Sequence, residues 1–277
     1  MTIDEIIENA LLEDIGDGDH TSISCIPNGS SGKAKLLVKE DGIIAGIEIA
    51  RKVFEKVDKS VKFNQLLNDG NKVKPGDIVF TVEGNPISLL SSERLALNFL
   101  QRMSGIATKT HQMVKLLGGL NTKLLDTRKT TPNLRLLEKI AVKIGGGENH
   151  RFGLYDMIMI KDNHVDFSGG IKNAITNVTQ YLESKNKNLK IEIEVRNFDE
   201  LNEVLAIGKI HRIMLDNFTP ENLKKAVGII NGHYETEASG GITESSLRQY
   251  AETGVDYISV GSLTHHIKSL DLSLKAY

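Results

Sequence analysis

The sequence has no tryptophan, one cysteine and only five prolines among its 277 residues. A single cysteine, Cys25, excludes an internal disulfide and any metal site built from several cysteine ligands. Acidic and basic residues nearly cancel, leaving a formal net charge of −2, so no overall charge attracts the chain to nucleic acid. An anion-binding site must therefore come from a local cluster of basic residues.

Long apolar segments are also missing. No run of the sequence approaches the length of a membrane-spanning helix. The amino terminus lacks the basic region and the apolar stretch of a secretory signal. We therefore expect a cytoplasmic protein with no membrane partner. A hydrophobic content of 40% is enough for a full core, and the length fits either one α/β barrel or two domains.

Residues 1 to about 118 mix the patterns of helices and strands. Polar and apolar residues alternate over 33–45 around Asp41-Gly42, which predicts a β-hairpin. A long helical pattern covers 91–117 and contains Ser104-Gly105, where we expect the helix to be interrupted. This part of the chain is therefore predicted to combine helices with a small sheet.

From residue 122 onwards, strand and helix patterns alternate, which is typical of parallel strands covered by helices. The predicted strands are 122–126, 156–161, 191–195, 212–216, 234–239 and 257–261. Six such units can close into a barrel or form an open doubly wound sheet, and periodicity does not distinguish the two. Both architectures bind ligands at the carboxyl ends of their strands.

Basic residues gather at these strand ends. Arg128 and Lys129 follow the first predicted strand, His150 and Arg151 precede the second, and Lys161 ends it. Arginine suits a carboxylate or a phosphate, and lysine adds a compact positive charge. For any one of these residues a solvated surface position is the better interpretation. Their convergence favours a site for an anion with more than one negative group.

Two acidic residues end neighbouring predicted strands, Glu194 and Asp216. Side by side, their carboxylates could hold Mg²⁺ or accept hydrogen bonds from ribose hydroxyls. Exposed or salt-bridged acids at strand ends are an equally good interpretation of this feature alone. Glu192 lies on the same side of its strand as Glu194, so it is expected to be a structural acid or one that supports the site.

Glycines and small hydroxyl residues follow the last two predicted strands, at Ser239-Gly240-Gly241 and at Gly261-Ser262. Glycine lets backbone amides approach a phosphate closely, and a helix amino terminus adds favourable partial charge. Tight strand-to-helix turns, which every α/β protein needs, are the alternative. Two successive loops of this kind favour phosphate binding.

In this order, the motifs resemble the quinolinate phosphoribosyltransferase family, also called nicotinate-nucleotide pyrophosphorylase (carboxylating). The resemblance runs nearly from end to end of the chain. It rests on Glu13 to Ser22, Ser92 to Thr108, Asp126-Thr-Arg-Lys-Thr-Thr-Pro132, Gly145 to Arg151, Lys161-Asp-Asn-His164, Glu192-Ile-Glu194, Met214 to Asn217, Glu237 to Gly241 and Val260-Gly-Ser262.

The resemblance implies two domains, as in type II phosphoribosyltransferases. An amino-terminal α/β sandwich domain would cover 1–118, with the last residues, about 267–277, returning to it, and a carboxy-terminal open α/β barrel would cover 119–266. It also implies a homodimer in which Arg94 of one subunit completes the site of the other. Whether dimers assemble into a higher oligomer is left open.

The implied reaction joins quinolinate to phosphoribosyl pyrophosphate and yields nicotinate mononucleotide, pyrophosphate and CO₂. Lys129, Glu194 and Asp216 would be the catalytic residues, and the same two acids would bind Mg²⁺, directly or through water or substrate. Quinolinate and the pyrophosphate end would contact Arg128, Lys129, Thr130, His150, Arg151 and Lys161. The 5′-phosphate would be held by Ser239, Gly240, Gly241, Gly261 and Ser262.

One residue departs from the family pattern. Asn133 follows the proline of Asp126 to Pro132, where the family commonly has glycine. Asparagine tolerates a left-handed backbone better than most residues, so we expect the turn to be kept.

Two other functions fit parts of the same pattern. One is that of a paralogue of this fold associated with molybdate transport genes, against which Lys161-Asp-Asn-His164 and the full basic set argue. The other is a non-catalytic barrel that binds a phosphorylated ligand. Assay with quinolinate, phosphoribosyl pyrophosphate and Mg²⁺ separates these alternatives from the enzyme.

Overall fold

The computed structural model describes all 277 residues, which form two compact units. The first unit comprises 1–112, 129–146 and 262–277, and the second comprises 113–128 and 147–261. The helices are α1 Ile3–Ile15, α2 His20–Cys25, α3 Ile47–Val57, α4 Pro86–Leu116, α5 Arg135–Ile144, α6 Asp162–Ser168, α7 Ile171–Ser184, α8 Phe198–Ile207, α9 Pro220–Ile230, α10 Leu247–Ala251 and α11 Ser262–His265.

Twelve strands accompany these helices. In chain order they are β1 Gly32–Val38, β2 Gly42–Ile43, β3 Lys62–Gln65, β4 Lys72–Val73, β5 Ile78–Gly84, β6 Lys123–Leu125, β7 Ile158–Ile160, β8 Ile191–Val195, β9 Arg212–Asp216, β10 Glu235–Ser239, β11 Tyr257–Ser259 and β12 Leu272–Ala276. None of the helices combines the length and the apolar composition needed to cross a bilayer.

The first unit is built on an antiparallel sheet in the order β12-β1-β5-β3. Alternate residues of β1, Ala34, Leu36 and Val38, are buried, as expected for a sheet with one face on the core. The amphipathic helix α3 buries Val53 and Phe54 in the same unit. Helices and a four-stranded sheet thus share one core, as the sandwich prediction requires.

The predicted hairpin over 33–45 is wrong. β1 pairs with β12 and β5, whereas β2 pairs with β4. A side-chain carbon at Gly42 would lie 2.5 Å from Leu270 and 2.8 Å from Thr108, so the chain after Asp41 is in close contact with other segments of this unit. The Asp-Gly turn therefore leads the chain out of the sheet, and strands distant in sequence complete β1.

The predicted interruption of the long helix is also wrong, because α4 is continuous over 31 residues. The Ser104 hydroxyl accepts a hydrogen bond from the Ala45 N–H at 2.9 Å and lies 3.2 Å from the Ala45 carbonyl. A side-chain carbon at Gly105 would lie 2.3 Å from the carbonyl oxygen of Lys268. The Ser-Gly pair thus allows neighbouring backbone to pack against the helix.

Gly105→Ala is expected to destabilise the protein by about 2–4 kcal/mol, because backbone atoms must move to admit the methyl group. The matched control is Gly228→Ala in α9, where nothing lies within 4 Å of the added carbon. This control should stabilise the protein by about 0.5–1 kcal/mol through helix propensity. Urea unfolding measures both changes, and equal effects would contradict the close contact.

The second unit is an open parallel barrel. Its six strands lie in the order β6-β11-β10-β9-β8-β7, so each strand neighbours the next along the chain except that β6 pairs with β11 rather than β7. A doubly wound sheet would place the first strand inside the sheet. The six predicted strands and the open barrel are therefore confirmed.

Candidate active site

Two arginines of the barrel unit lie close together at the carboxyl end of its strands. Arg151 is half-buried, and burial together with the positive charge of Arg128 lowers its pKa. One Arg151 nitrogen donates to the Met157 carbonyl at 3.3 Å, which directs the guanidinium. Two neighbouring positive charges are costly without an anion, so this arrangement favours binding a negatively charged ligand.

Lys161 lies at the end of β7, where α6 begins. Its ammonium is 3.4 Å from a carboxylate oxygen of Glu194. Its backbone N–H donates to Nδ1 of His164 at 2.9 Å, which fixes the turn between strand and helix. Within the motif Lys161-Asp-Asn-His164, the histidine therefore holds the backbone of the lysine and so helps to orient its side chain.

The two predicted acids also interact. Burial raises the pKa of Glu194, Lys161 opposes this shift, and the negative charge of Asp216 adds to it. Asp216 accepts a hydrogen bond from the Asn217 amide at 2.5 Å. Carboxylate oxygens are ligands that Mg²⁺ prefers, usually alongside substrate phosphates and water, so this pair fits the expected ion.

The loop after β10 is shaped by its glycines. Gly240 has a φ of +98°, and a side-chain carbon there would lie 2.2 Å from the Asn217 side chain and 2.9 Å from its backbone nitrogen. The Asn217 N–H donates to the Ser239 carbonyl at 2.9 Å. Gly241 has a φ of +61° but nothing within 4 Å. The loops after β9 and β10 are thus packed backbone against backbone at Gly240.

Gly240→Ala is expected to cost about 2–4 kcal/mol of stability, since it combines an unfavourable φ with a clash. Gly241→Ala is the matched control, with a cost of about 1–2 kcal/mol from the backbone alone. Urea unfolding measures the difference, and a second assay, binding of ribose 5-phosphate, checks the role of the loop. Equal costs would show that the Asn217 contact does not constrain Gly240.

Four of the predicted site residues, Arg94, Lys129, Thr130 and Ser262, belong to the first unit. The Lys129 carbonyl accepts a hydrogen bond from the Thr264 hydroxyl at 2.8 Å, and Thr130 accepts one from Arg135 at 3.0 Å. Ser262 begins α11. Arg94 is exposed on α4 and makes no hydrogen bond or ion pair within the chain. These two hydrogen bonds hold the loop between β6 and α5 at Lys129 and Thr130, while Arg94 points into solvent.

Asn133 adopts the left-handed backbone that the turn requires, with a φ of 66°. The prediction that the turn is kept without glycine is therefore confirmed.

Arg102 and Glu138 support the loop between β6 and α5 through contacts with Thr131, and the sequence analysis did not identify either residue. Arg102 donates to Glu138 Oε1 at 2.6 and 2.8 Å and to the Thr131 hydroxyl at 2.7 Å. The second Glu138 oxygen accepts the Thr131 N–H at 3.2 Å. Glu138 is 1% exposed on the apolar face of α5, and a charged residue on that face was the signal available in the sequence.

His150 lies inside the barrel, buried beside Glu192 and Glu237. Glu237 and its partner Arg212 were also not identified from the sequence as contributors to a site. Glu192 was expected to share the side of Glu194, and both are buried within β8.

An open parallel barrel with cations, paired carboxylates and glycine loops at its strand ends defines a class of enzymes that act on phosphorylated anionic substrates. The family model for the quinolinate phosphoribosyl transferase C-terminal domain matches residues 106–275, and the model for the N-terminal domain matches 19–104. The chain belongs to the quinolinate phosphoribosyltransferase family. The predicted family, fold class and enzyme class are confirmed.

Similar proteins cover nearly the whole chain. Quinolinate phosphoribosyltransferase (decarboxylating) 2, mitochondrial, of Nicotiana glauca is 46% identical over 98% of this chain and 81% of its own. The probable nicotinate-nucleotide pyrophosphorylase (carboxylating) of Bacillus subtilis is 43% identical, and the match covers 99% of this chain and 93% of that protein. The structure of the nicotinate-nucleotide pyrophosphorylase from Francisella tularensis superposes with a TM-score of 0.93 at 42% identity. The match covers 99% of this chain and 96% of the Francisella chain.

Proposed function

We propose that the chain transfers the phosphoribosyl group of phosphoribosyl pyrophosphate to quinolinate, forming nicotinate mononucleotide, pyrophosphate and CO₂ in NAD biosynthesis. The observation that carries the proposal is the pairing of half-buried Arg151 with exposed Arg128, which suits a dicarboxylate, at the same strand ends as Glu194 and Asp216. Membership of the family supports the same reaction.

The charges that develop during the transfer step indicate the roles of the acidic residues and of Lys129. When pyrophosphate leaves, positive charge develops on the ribose ring, which Glu194 and Asp216 stabilise. The pyridine nitrogen of quinolinate then forms the new bond to ribose. Lys129, as its family match implies, stabilises the negative charge on the departing pyrophosphate. No general base is needed, because the attacking nitrogen carries no proton.

Decarboxylation follows from the product of that step. Once the ring nitrogen is quaternary, the adjacent carboxylate can leave as CO₂, and the electron pair left on the ring carbon takes up a proton. The arginine pair and Lys161 bind and orient the two carboxylates rather than taking part in bond cleavage.

Mg²⁺ is part of the proposal. Glu194 and Asp216 would hold it, directly or through water or substrate, and the ion would neutralise charge on the pyrophosphate group. Ser239, Gly240, Gly241, Gly261 and Ser262 would bind the 5′-phosphate through backbone amides and hydroxyls.

We also infer that the working unit is a homodimer in which Arg94 serves the partner's site. Arg94 is exposed with no partner in its own chain. The barrel unit leaves Leu154, Tyr155 and Phe167 exposed by 70%, 69% and 91%, and apolar side chains of this size suit an interface. The cytoplasmic location stays a prediction, since the similar Nicotiana protein is mitochondrial by name.

Incubation of the purified protein with quinolinate, phosphoribosyl pyrophosphate and Mg²⁺ tests the function. Nicotinate mononucleotide, pyrophosphate and CO₂ should form in equal amounts. Absence of the nucleotide over a range of pH and metal concentration would support a non-catalytic binding protein instead. Equal turnover of nicotinate, which has one carboxylate, would contradict the assignment of the arginine pair.

A further inference from the structure

His150 is held within the barrel by contacts on several sides. Its backbone N–H donates to the buried carboxylate of Asp126 at 2.8 Å. Its side-chain Nε2 lies 3.1 Å from Glu192 Oε2 and 3.2 Å from Glu237 Oε2. Both glutamates are 0% exposed and the histidine side chain is 5% exposed, so solvent does not screen these charges.

Arg212 completes the cluster from the start of β9. It lies 3.1 Å from Glu237 Oε2, and its guanidinium sits 4.0 Å from the centre of the Tyr257 ring. It also contacts the half-buried Glu235 at 3.0 Å. We define the buried charge cluster as His150, Glu192, Glu237 and Arg212.

The protonation of the cluster balances its charges. Burial and the charge of Glu237 raise the pKa of Glu192 to about 7. The Arg151 N–H points at Nδ1 of His150, so that nitrogen carries no proton and the ring holds its proton on Nε2. At neutral pH the additional proton of the cluster therefore lies on Glu192, and together with Arg212 it offsets the two acids.

The ligand atoms of His150, Glu192 and Glu237 lie within 4.8 Å of one another, as in a metal site. Arg212 already places a positive charge against Glu237, and the additional proton on Glu192 neutralises the other acid. A divalent cation would add uncompensated positive charge in a buried space, which is unfavourable. The cluster is therefore better explained as an ion-pair network than as a metal centre.

The cluster is connected to the anion pocket through one contact. Nδ1 of His150 accepts the backbone N–H of Arg151 at 2.6 Å. With Nε2 facing the two glutamates, both nitrogens of the ring have neighbours within the barrel. The position of the ring therefore fixes the backbone from which the Arg151 side chain extends towards the ligand.

We propose that Glu192 and Glu237 are positioning residues that hold His150 and, through it, Arg151 in the geometry that binds quinolinate. The proposal rests on the proposed function, since quinolinate is the ligand considered. A buried ion-pair network is costly to form, and removing one member leaves another uncompensated, so its geometry is strongly constrained.

Glu237→Gln is the main test, because this glutamate contacts both His150 and Arg212. We expect the KM for quinolinate to rise on the order of tenfold, with kcat and the KM for phosphoribosyl pyrophosphate changed less than about threefold. The matched control is Glu235→Gln, on the same strand, which removes another contact of Arg212 but none of His150. The control should keep the wild-type constants.

A double-mutant cycle tests whether Glu237 acts through His150. In a His150→Gln background, Glu237→Gln should cause no further rise in the KM for quinolinate. Additive effects would overturn the proposal. An unchanged KM in folded Glu237→Gln protein would also overturn it. If that variant fails to fold, Glu192→Gln is judged by the same two criteria.

Two measurements that compare the wild-type protein with these variants do not depend on turnover. Nitrogen NMR of His150 should show Nε2 protonated and hydrogen-bonded, with a shift that changes in Glu237→Gln but not in Glu235→Gln. Metal analysis should find no stoichiometric ion that is lost in Glu237→Gln, and finding one would overturn the proposal. An inactive wild-type protein with the expected NMR signals would contradict the proposed function but not the network itself.

Discussion

Arg151→Ala is expected to reduce kcat/KM for quinolinate roughly 100- to 1,000-fold, equivalent to about 3–4 kcal/mol of binding energy. The arginine is half-buried and directed by the Met157 carbonyl, so its charge acts on the ligand with little screening by water. The loss should appear mainly in the KM for quinolinate. Steady-state kinetics with each substrate varied in turn measures it.

The same substitution should leave folding intact. Without ligand, Arg151 faces the like charge of Arg128, so its removal should change the free energy of unfolding by less than about 1 kcal/mol. Arg248→Ala is the matched control, because Arg248 lies on α10 and pairs with Glu252 at the surface. Loss of folding in Arg151→Ala, or equal loss of activity in the control, would show that Arg151 has no special role in binding.

Mixing inactive Arg94→Ala protein with inactive Lys129→Ala protein should restore about a quarter of wild-type activity. Random exchange of subunits makes about half of the dimers mixed, and each mixed dimer has one intact site if Arg94 is donated across the interface. The other site in the same dimer lacks both residues. Activity is measured after subunit exchange has been verified by mass spectrometry of differently tagged chains.

Asn98→Ala provides the control for Arg94→Ala, since Asn98 is exposed one turn further along α4. It should be active without mixing. No recovery of activity in verified mixed dimers would contradict the shared site, and a monomeric active enzyme would contradict the homodimer itself. Sedimentation analysis distinguishes these two outcomes.

The barrel could be predicted from local sequence signals because each of its strand-and-helix repeats is formed by residues close together in the sequence. Each strand is followed by its own helix, and caps such as Thr219 with Pro220 at the start of α9 mark the boundaries. The first unit was harder to predict. β1 takes its partners from residues far along the chain, and no turn signal near Asp41 could reveal β12 or β5.

The polar residues at strand ends could be found for a similar reason. Glu194 and Asp216 end strands whose limits were predictable, and the structure places them within electrostatic reach of each other. Arg102, Glu138 and the partners of His150 were missed because their roles depend on contacts between distant segments. A charged residue at a buried helical or strand position was the only local sign of such contacts.

The pairing of β12 with β1 has a consequence for synthesis of the protein. A ribosome makes β1 well before β12, yet the two form neighbouring strands of one sheet, from Ala34 opposite Ala276 to Val38 opposite Leu272. Until β12 emerges, one edge of β1 has no partner strand. The nascent chain therefore carries an open sheet edge throughout translation of the barrel, and such an edge favours pairing with other chains.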